Sequence, residues 1–552
     1  MKKTIIWFLL ICLSAGAMAV NTKESYYMKR ALEAAQSGES ETAIQFLSKE
    51  LDENPTNGYA HMWVAILCTR NNSVGWAFQY ARSAIKYLPK KEYEGRSDMN
   101  ILLSEIYLDA KDTARAITYM EQAQKELPKA EHPYRVLVRL NTERGDKAKA
   151  LHYAEMALKN QPKSIDAQLL LTDALEENGQ YEEALKHCNQ ALDMAEPQSK
   201  DKSRVYAKRA LLLIDMKQPS EALADLMRST RIDIWDVSED ILEQLHDTIP
   251  GEVLDTVLAA HEQEPEQLFW KIYLYDLYRY RKEYTKAAQM GFAILPQHNG
   301  SHIVHHIASL LEYHIGDPEL AERMLVKQLG VDSTSASTYI RLEELYAETG
   351  RYREAFDMAD KALSFNPDDA EKATAYQLRG RIHQIRHDYT KAIDDFLAGM
   401  IADPRDYEYW FRIGRLYGEM NDSVKQAQAF DQGRKAFAAA GKELTPEAYV
   451  AMGDSAKAYE AAQKMIEKED SEEQHYNAAC VYAQIGASKE ALVHLRKAFE
   501  NGFRNFYHVA WDMDLDSLRE MQEFKDMVNE FKQLTEQEKQ ALRATLDLEL
   551  NY

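Results

Sequence analysis

Cysteine is scarce in this chain: four in 552 residues, with Cys12 in an N-terminal apolar stretch and Cys68, Cys188 and Cys480 far apart in the remainder. An odd number so widely spaced offers no disulfide framework and no ligand set for a structural metal, so each reads as a small buried apolar side chain. Basic charge is short as well, with 67 lysines and arginines against 89 acidic residues and a net charge of −22. Nucleic acids and anionic lipid surfaces both demand basic stripes, so neither is an expected partner. After the first twenty residues no apolar run approaches the ~18 needed to cross a bilayer. A glycine-rich phosphate loop, a nucleophile elbow and a paired-cysteine motif are equally absent from the sequence, which leaves nothing on which to place a catalytic mechanism or a cofactor. The expectation is a protein that is not an enzyme.

What the chain has is repetition. In residues 58–89, Ala65 is followed by Cys68, Ala77, Ala81, Ala84 and Pro89; residues 24–55 place Ala31, Ala34, Gly38, Ala43, Leu47 and Pro55 in the same register. Tyr339, Leu342, Tyr346, Gly350, Tyr352, Ala355, Ala362 and Pro367 keep it, as do Tyr376, Gly380, Ala392, Phe396 and Pro404. Small residues at these spacings suit two helices that cross closely, with larger apolar side chains filling the groove beside the contact. Proline ends the second helix because it lacks an N–H and clashes with the preceding turn. Glycine at Gly145, Gly179 and Gly350 breaks the hairpin midway, where a left-handed residue is needed.

This pattern resembles the tetratricopeptide repeat, a helical hairpin of about 34 residues carrying an aromatic, a leucine, a small residue and a tyrosine, then alanine, an aromatic, alanine and a closing proline. The resemblance implies an all-α, right-handed superhelical solenoid of about thirteen hairpins between Lys23 and Phe531. Residues 20–235 read as an N-terminal array and 267–531 as a C-terminal one. The poorly matching stretch 236–266 is a possible bend, and residues 442–470 look truncated in their first helix. Residues 472–531, with Asn477 to Tyr482, Gly486, Ala491-Leu492 and Asp514 to Arg519, look like the terminal repeat of bacterial members. Residues 532–552, rich in Glu, Gln and Lys, fit a solvated closing helix or tail.

Residues 1–19 read as a secretory signal: Lys2 and Lys3, an apolar run from Ile5 to Leu13, and Ala17-Met18-Ala19 as the cleavage site. Cys12 could accept a lipid, but Ile11 stands where the lipoprotein pattern wants a small residue. The mature chain is therefore expected outside the cytoplasm, in the periplasm or cell envelope, beginning near Val20.

His302 and His306 share one helix face at a spacing that can hold a divalent metal, but no flanking glutamate completes a protease motif, and His305 falls on the repeat's aromatic position. The expectation is no resident metal. What the resemblance implies instead is a concave groove lined by the first helix of each hairpin. Its offsets fall on Met28, Leu32, Met62 and Ile66, then Arg135 and Arg139, then Leu169, Asp173, Glu176 and Glu177. In the second array they fall on Phe269, Ile272, Asp276, Arg279 and Tyr280, and on Phe411, Arg415 and Glu419. Aromatics and arginines most often anchor interfaces, so Arg135, Arg139, Phe269, Tyr280 and Phe411 are the candidate partner-binding residues. The lysine and asparagine clamp of the chaperone-binding members is absent at Met28 and Leu32. The function read from these features is a non-catalytic exported scaffold binding protein or peptide partners in the groove. The alternative is an outer-membrane-associated glycan-binding protein of nutrient uptake, although such proteins interrupt their helices with Trp-rich loops and this chain has only seven tryptophans.

Overall fold

The computed structural model describes residues 25–233 and 239–546. The expected secretory signal, residues 1–19, lies outside the described residues. Within them the chain is all-α, without a strand.

Two units divide it, up to Ile249 and from Pro250 onward. The first stacks six hairpins: Tyr26–Gln36 with Ser40–Glu53, Gly58–Arg70 with Val74–Tyr87, Tyr93–Asp109 with Thr113–Glu126, Glu131–Glu143 with Lys147–Asn160, Ile165–Glu177 with Tyr181–Met194, and Lys200–Asp215 with Pro219–Ile232. Glu239–Thr248 ends it. Pro250–Gln263 opens the second unit, so the degenerate stretch 236–266 supplies one helix to each. Seven hairpins follow: Leu268–Tyr280 with Tyr284–Ile294, Ser301–Leu310 with Pro318–Val331, Ala336–Glu348 with Tyr352–Ser364, Asp369–Ile385 with Tyr389–Ala402, Tyr409–Glu419 with Ser423–Ala439, Pro446–Ala451 with Ser455–Lys468, and Glu472–Gln484 with Ser488–Glu500. The shortened first helix expected within 442–470 is the six-residue Pro446–Ala451.

The turn inside each hairpin is built one way. After Glu131–Glu143, Gly145 adopts φ 75° and donates its N–H to the Thr142 carbonyl at 2.8 Å, while the Asp146 N–H reaches the Asn141 carbonyl at 2.8 Å. Two orphan carbonyls are thus satisfied, and the Asp146 side chain then caps the next helix at Lys149 N. Lys111, at φ 59°, fills the same position without being glycine. The turn therefore outranks residue preference, and sequence inspection for glycine alone misses such copies.

Small residues set the helix crossings. Ala43, Ala77, Ala81, Ala116, Ala150, Ala184 and Ala222 are completely or almost completely buried. Glycine allows a closer approach still: a Cβ on Gly380 would lie 2.6 Å from the Phe396 ring of the paired helix. The three cysteines among the described residues, Cys68, Cys188 and Cys480, are buried and unbridged, as small apolar residues would be.

Residues 532–552 were expected as a solvated closing helix or tail; a helix runs Gln522–Arg543, and in that stretch it buries Thr535 and Leu542 as well as Phe524, Met527 and Phe531 before it. It docks on the unit's early hairpins. Arg543 pairs with Asp317, a carboxylate with no exposed surface, through Nε at 2.6 Å and through Nη2. Gln289 meets Thr545 at 3.0 Å, Lys282 pairs with Glu472 at 2.9 Å, and the Tyr284 ring stacks on His314 at 4.0 Å. The helix end at Ile315 leaves the Tyr313 carbonyl without an intrahelical donor, and the Arg504 N–H supplies one at 2.7 Å.

Gly380→Ala should destabilise the second unit. Overpacking against Phe396 costs ~1–3 kcal/mol, more than the ~1 kcal/mol gained in helix propensity; denaturant unfolding would show a lowered midpoint, and an unchanged or raised one would contradict this packing.

Candidate functional site

In both units the first helices of successive hairpins touch: Glu131–Glu143 meets Ile165–Glu177, which meets Lys200–Asp215, and Ala336–Glu348 meets Asp369–Ile385. Second helices of successive hairpins meet less closely. The first helices therefore line the inner face of each stack.

In the first unit that face is a ladder of charge. Arg135 and Arg139 are exposed and sit beside carboxylates of their own helix, Glu131 at 3.7 Å and Glu143 at 2.9 Å. Across the next step Arg204 pairs with Asp166 at 2.8 Å, and Lys208 bridges Asp173 at 2.7 Å and Glu176. Burial works against the Lys208 ammonium, but Asp173 and Glu176 outweigh it and hold its pKa above the usual lysine range. Burial, reinforced by Glu94 and Glu92, pushes Asp98 up to about 6, and burial with Asp109 pushes Glu105 up to about 7. His132 falls to about 4 through burial and the nearby Arg135 and Arg139.

Several expected groove residues are core instead. Met28, Met62 and Ile66 are buried among the neighbouring helices, which closes the apolar groove entrance the offsets implied. Leu169 is buried too. Phe411 is 2% exposed, stacked on Phe430 at 6.0 Å and edge-on to Phe437 at 6.0 Å, in space that Gly433 leaves open. It belongs to the wall and is corrected from partner anchor to packing residue. Phe269 and Tyr280 are half-buried, Phe269 edge-on to Trp270 at 4.5 Å. His302 and His306 bring Nε2 to Nε2 within 3.1 Å, and among the described residues no group of three or more His, Cys, Asp or Glu that could hold a metal occurs.

The second unit holds a partly open cavity of about 140 Å³. Its wall is the first helices Ala336–Glu348, Asp369–Ile385, Tyr409–Glu419 and Pro446–Ala451, and its far side is the C-terminal segment, helix Phe506–Trp511 and the 3₁₀ turn Met513–Leu518. Asn505 positions that segment: its Oδ1 caps the short helix at His508 N, while its Nδ2 donates to Glu348 at 2.6 Å. Gly350, already at φ 75°, lets the Trp511 ring settle against it, since any Cβ there would lie 2.8 Å from the indole. Asp512 accepts from Tyr476 OH at 2.7 Å and lies 3.4 Å from His508 Nε2. Burial opposes the His508 charge, yet Asp512 and Glu348 raise its pKa above the ordinary value. Arg381, Arg412 and Arg415 reach the cavity from the wall. Arg415 was among the expected groove residues. Arg381, Arg412, His508 and Trp511 were not, and for the C-terminal pair no repeat offset could have pointed to the inner face. A second cavity of about 490 Å³, lined by Arg279, His306, Tyr313, His314 and Glu472, shares Glu348 and His508 with the first.

Two family models of the tetratricopeptide repeat match the chain, over residues 97–126 and 137–199, each falling on helical hairpins of the first unit. Residues 97–126 and 137–199 are thus tetratricopeptide repeats. A search of the curated proteins finds no match. Among solved structures, one of Naa15/Naa10 bound to HypK-THB is similar at 15% identity and TM-score 0.31, over 93% of this chain and 81% of that one. PilF of Pseudomonas aeruginosa is similar at 17% identity and TM-score 0.29, over 38% and 90%. YrrB, described as a tetratricopeptide repeat protein with an unusual peptide-binding site, is similar at 15% identity and TM-score 0.29, over 36% and 96%. Repeats of this kind serve as protein-interaction scaffolds, and no catalytic family is indicated. Among the described residues no helix is long and apolar enough to cross a membrane.

One buried acid in this helical stack gives a pH test. Glu343, on the wall helix Ala336–Glu348, has no exposed surface and no hydrogen-bond partner on either carboxylate oxygen. Burial pushes its pKa up to about 9, Arg379 only partly countering. The folded chain thus keeps a proton that the unfolded chain releases above its ordinary pKa of 4.5, so this group's contribution to stability falls as pH rises from about 4.5 to about 9. Glu343→Gln should remove that dependence and be stabilised relative to the parent by about 1 kcal/mol or more at pH 8 compared with pH 5; parallel unfolding curves at the two pH values would refute it.

Proposed function

We propose that this protein is an exported, non-catalytic scaffold that captures protein or peptide partners on the inner faces of its helical stacks. The observation that carries the reading is the placement of charged and half-buried aromatic side chains along touching first helices: Arg135, Arg139, Arg204 and Lys208 in one unit, Tyr280 and Arg415 in the other. Guanidinium and aromatic groups supply most interface energy per residue. Alternating charge along a face sets the orientation of a bound segment and makes capture sensitive to salt. The secretory signal read in residues 1–19 places this activity in the periplasm or cell envelope.

Affinity capture with the tagged chain from its own cell envelope should return a reproducible partner in low salt and less of it in high salt. Arg135→Ala combined with Arg139→Ala should weaken that capture several-fold while leaving thermal unfolding unchanged. Undiminished capture would remove these two residues from the binding face, and a chain that keeps Met1 and fractionates with the cytoplasm would overturn the export reading.

A further inference from the structure

We propose that His508 is a proton-dependent latch: as an imidazolium it ties the helix Phe506–Trp511 to the wall helix Ala336–Glu348, and on losing its proton it lets that C-terminal cover loosen. Its ring lies between two carboxylates on different elements. Nδ1 is 3.8 Å from Glu348 on the wall, and Nε2 is 3.4 Å from Asp512, which closes the cover helix. None of the three is well hydrated, His508 being 21% exposed, Glu348 14% and Asp512 13%. One positive charge thus stands between two negative ones in a poorly screened space, where each attraction is stronger than at the surface. The position also governs access. Glu348 and His508 are the only described residues that line both the cavity of about 140 Å³ and that of about 490 Å³, so their contact is the partition between the two spaces.

The groups around the ring set the direction of the response. From Glu472–Gln484, the Tyr476 ring lies 5.5 Å from the imidazole and its hydroxyl donates to Asp512 at 2.7 Å. From Asp369–Ile385, Arg381 opposes the imidazolium, and from the 3₁₀ turn the Asp514 N–H donates to Asp512 Oδ1 at 3.0 Å. Across the larger cavity the charges are settled among themselves: Arg279 pairs with Asp276, Glu472 pairs with Lys282, His306 meets His302, and Glu473 is exposed. Burial holds His314 below the usual histidine range, so it is neutral where His508 is charged. Burial and Arg381 work against the His508 charge, but Asp512 and Glu348 outweigh them. The latched ring therefore keeps its proton above the ordinary value of 6.5, where a freed ring releases it. The latch is at full strength below 6.5 and is lost as pH rises through the raised value. At the acid end the limit is Asp512, whose pKa is lowered by His508 and Tyr476 against the effect of burial; its contribution is present above 3.8 and lost as pH falls through the lowered value. A neutral His508 removes the cation between Glu348 and Asp512, while Asn505 still holds Glu348 and Arg543 still holds Asp317. The cover loosens and the unit stays folded.

The test is hydrogen–deuterium exchange of the full chain, read by mass spectrometry at about pH 6 and about pH 8.5, either side of the range in which histidine titrates. Rates are corrected for the intrinsic effect of pH on amide exchange. Amides of residues 506–512 should exchange several-fold faster at the higher pH, while those of the adjoining helix Glu472–Gln484 stay protected at both. His508→Gln should show one rate over 506–512 at the two pH values. Glu343 on the wall helix also titrates over this range, but parent and variant share it, so the difference between them isolates His508. Asp512→Asn removes one of the two carboxylates and should move the transition to lower pH. Equal protection of 506–512 in the parent at both pH values would overturn the proposal, and this arm needs no substitution to fold. The same pH dependence in His508→Gln as in the parent would also overturn it, as would a transition in Asp512→Asn at the parent's pH.

Discussion

The inner architecture of the second unit depends on one docking event, the return of residues 504–543 onto hairpins that precede them by about two hundred positions. Asp317 is its pivot. That carboxylate has no exposed surface, caps the helix Pro318–Val331 at Leu320 N, and finds its countercharge only in Arg543, 226 residues away. A buried charge without a partner is strongly unfavourable, so the hairpin that contains Asp317 is complete only when the closing helix is in place. The same docking satisfies the Tyr313 carbonyl, while Phe524, Met527 and Phe531 pack into the core of the terminal repeat, Phe531 against Phe499 at 5.3 Å.

From this closure the cavity follows. In an open stack the inner face would be a groove with two rims, free to take an extended chain along its length. Here the segment Phe506–Leu518 stands across that face, brings Trp511, Asp512 and Asp514 opposite Arg381, Arg412 and Arg415, and turns part of the groove into a partly covered cavity. The first unit has no such cover among its described residues. Its inner face remains a run of cross-helix ion pairs: Arg204 with Asp166 is exposed and contributes little stability, whereas Lys208, held by Asp173 and Glu176, is largely buried.

Much of this was legible in the sequence, for a physical reason. Helix crossings need small side chains at fixed spacing, so Ala65, Ala77 and Ala81, or Gly380 with Phe396, announce the hairpins directly. Periodic local contacts are the part of a fold that sequence encodes most openly. The register of the groove was less secure, because positions one helical step apart differ in which neighbour they meet. Met62 and Ile66 were assigned to the groove by offset and turn inward to the core, while Phe411, though buried, lines the cavity wall beside the exposed Arg412. The closure was not legible. Nothing in Arg504, Asn505 or Arg543 as residue types marks them as partners of Tyr313, Glu348 and Asp317, since such pairings are set by the summed geometry of seven hairpins and not by any local pattern.

The inner surface of the second unit is therefore completed by segments distant in sequence, with the terminal repeat lying against the start of that unit. Lys282 and Glu472 make an ion pair at 2.9 Å across 190 residues of sequence. Treatment of the folded chain with a zero-length carbodiimide, followed by peptide mass spectrometry, should yield an intramolecular amide between Lys282 and Glu472 alongside those of local pairs such as Lys435 with Asp431. Local amides in good yield with none joining Lys282 to Glu472 would contradict the closure and the cavity built on it.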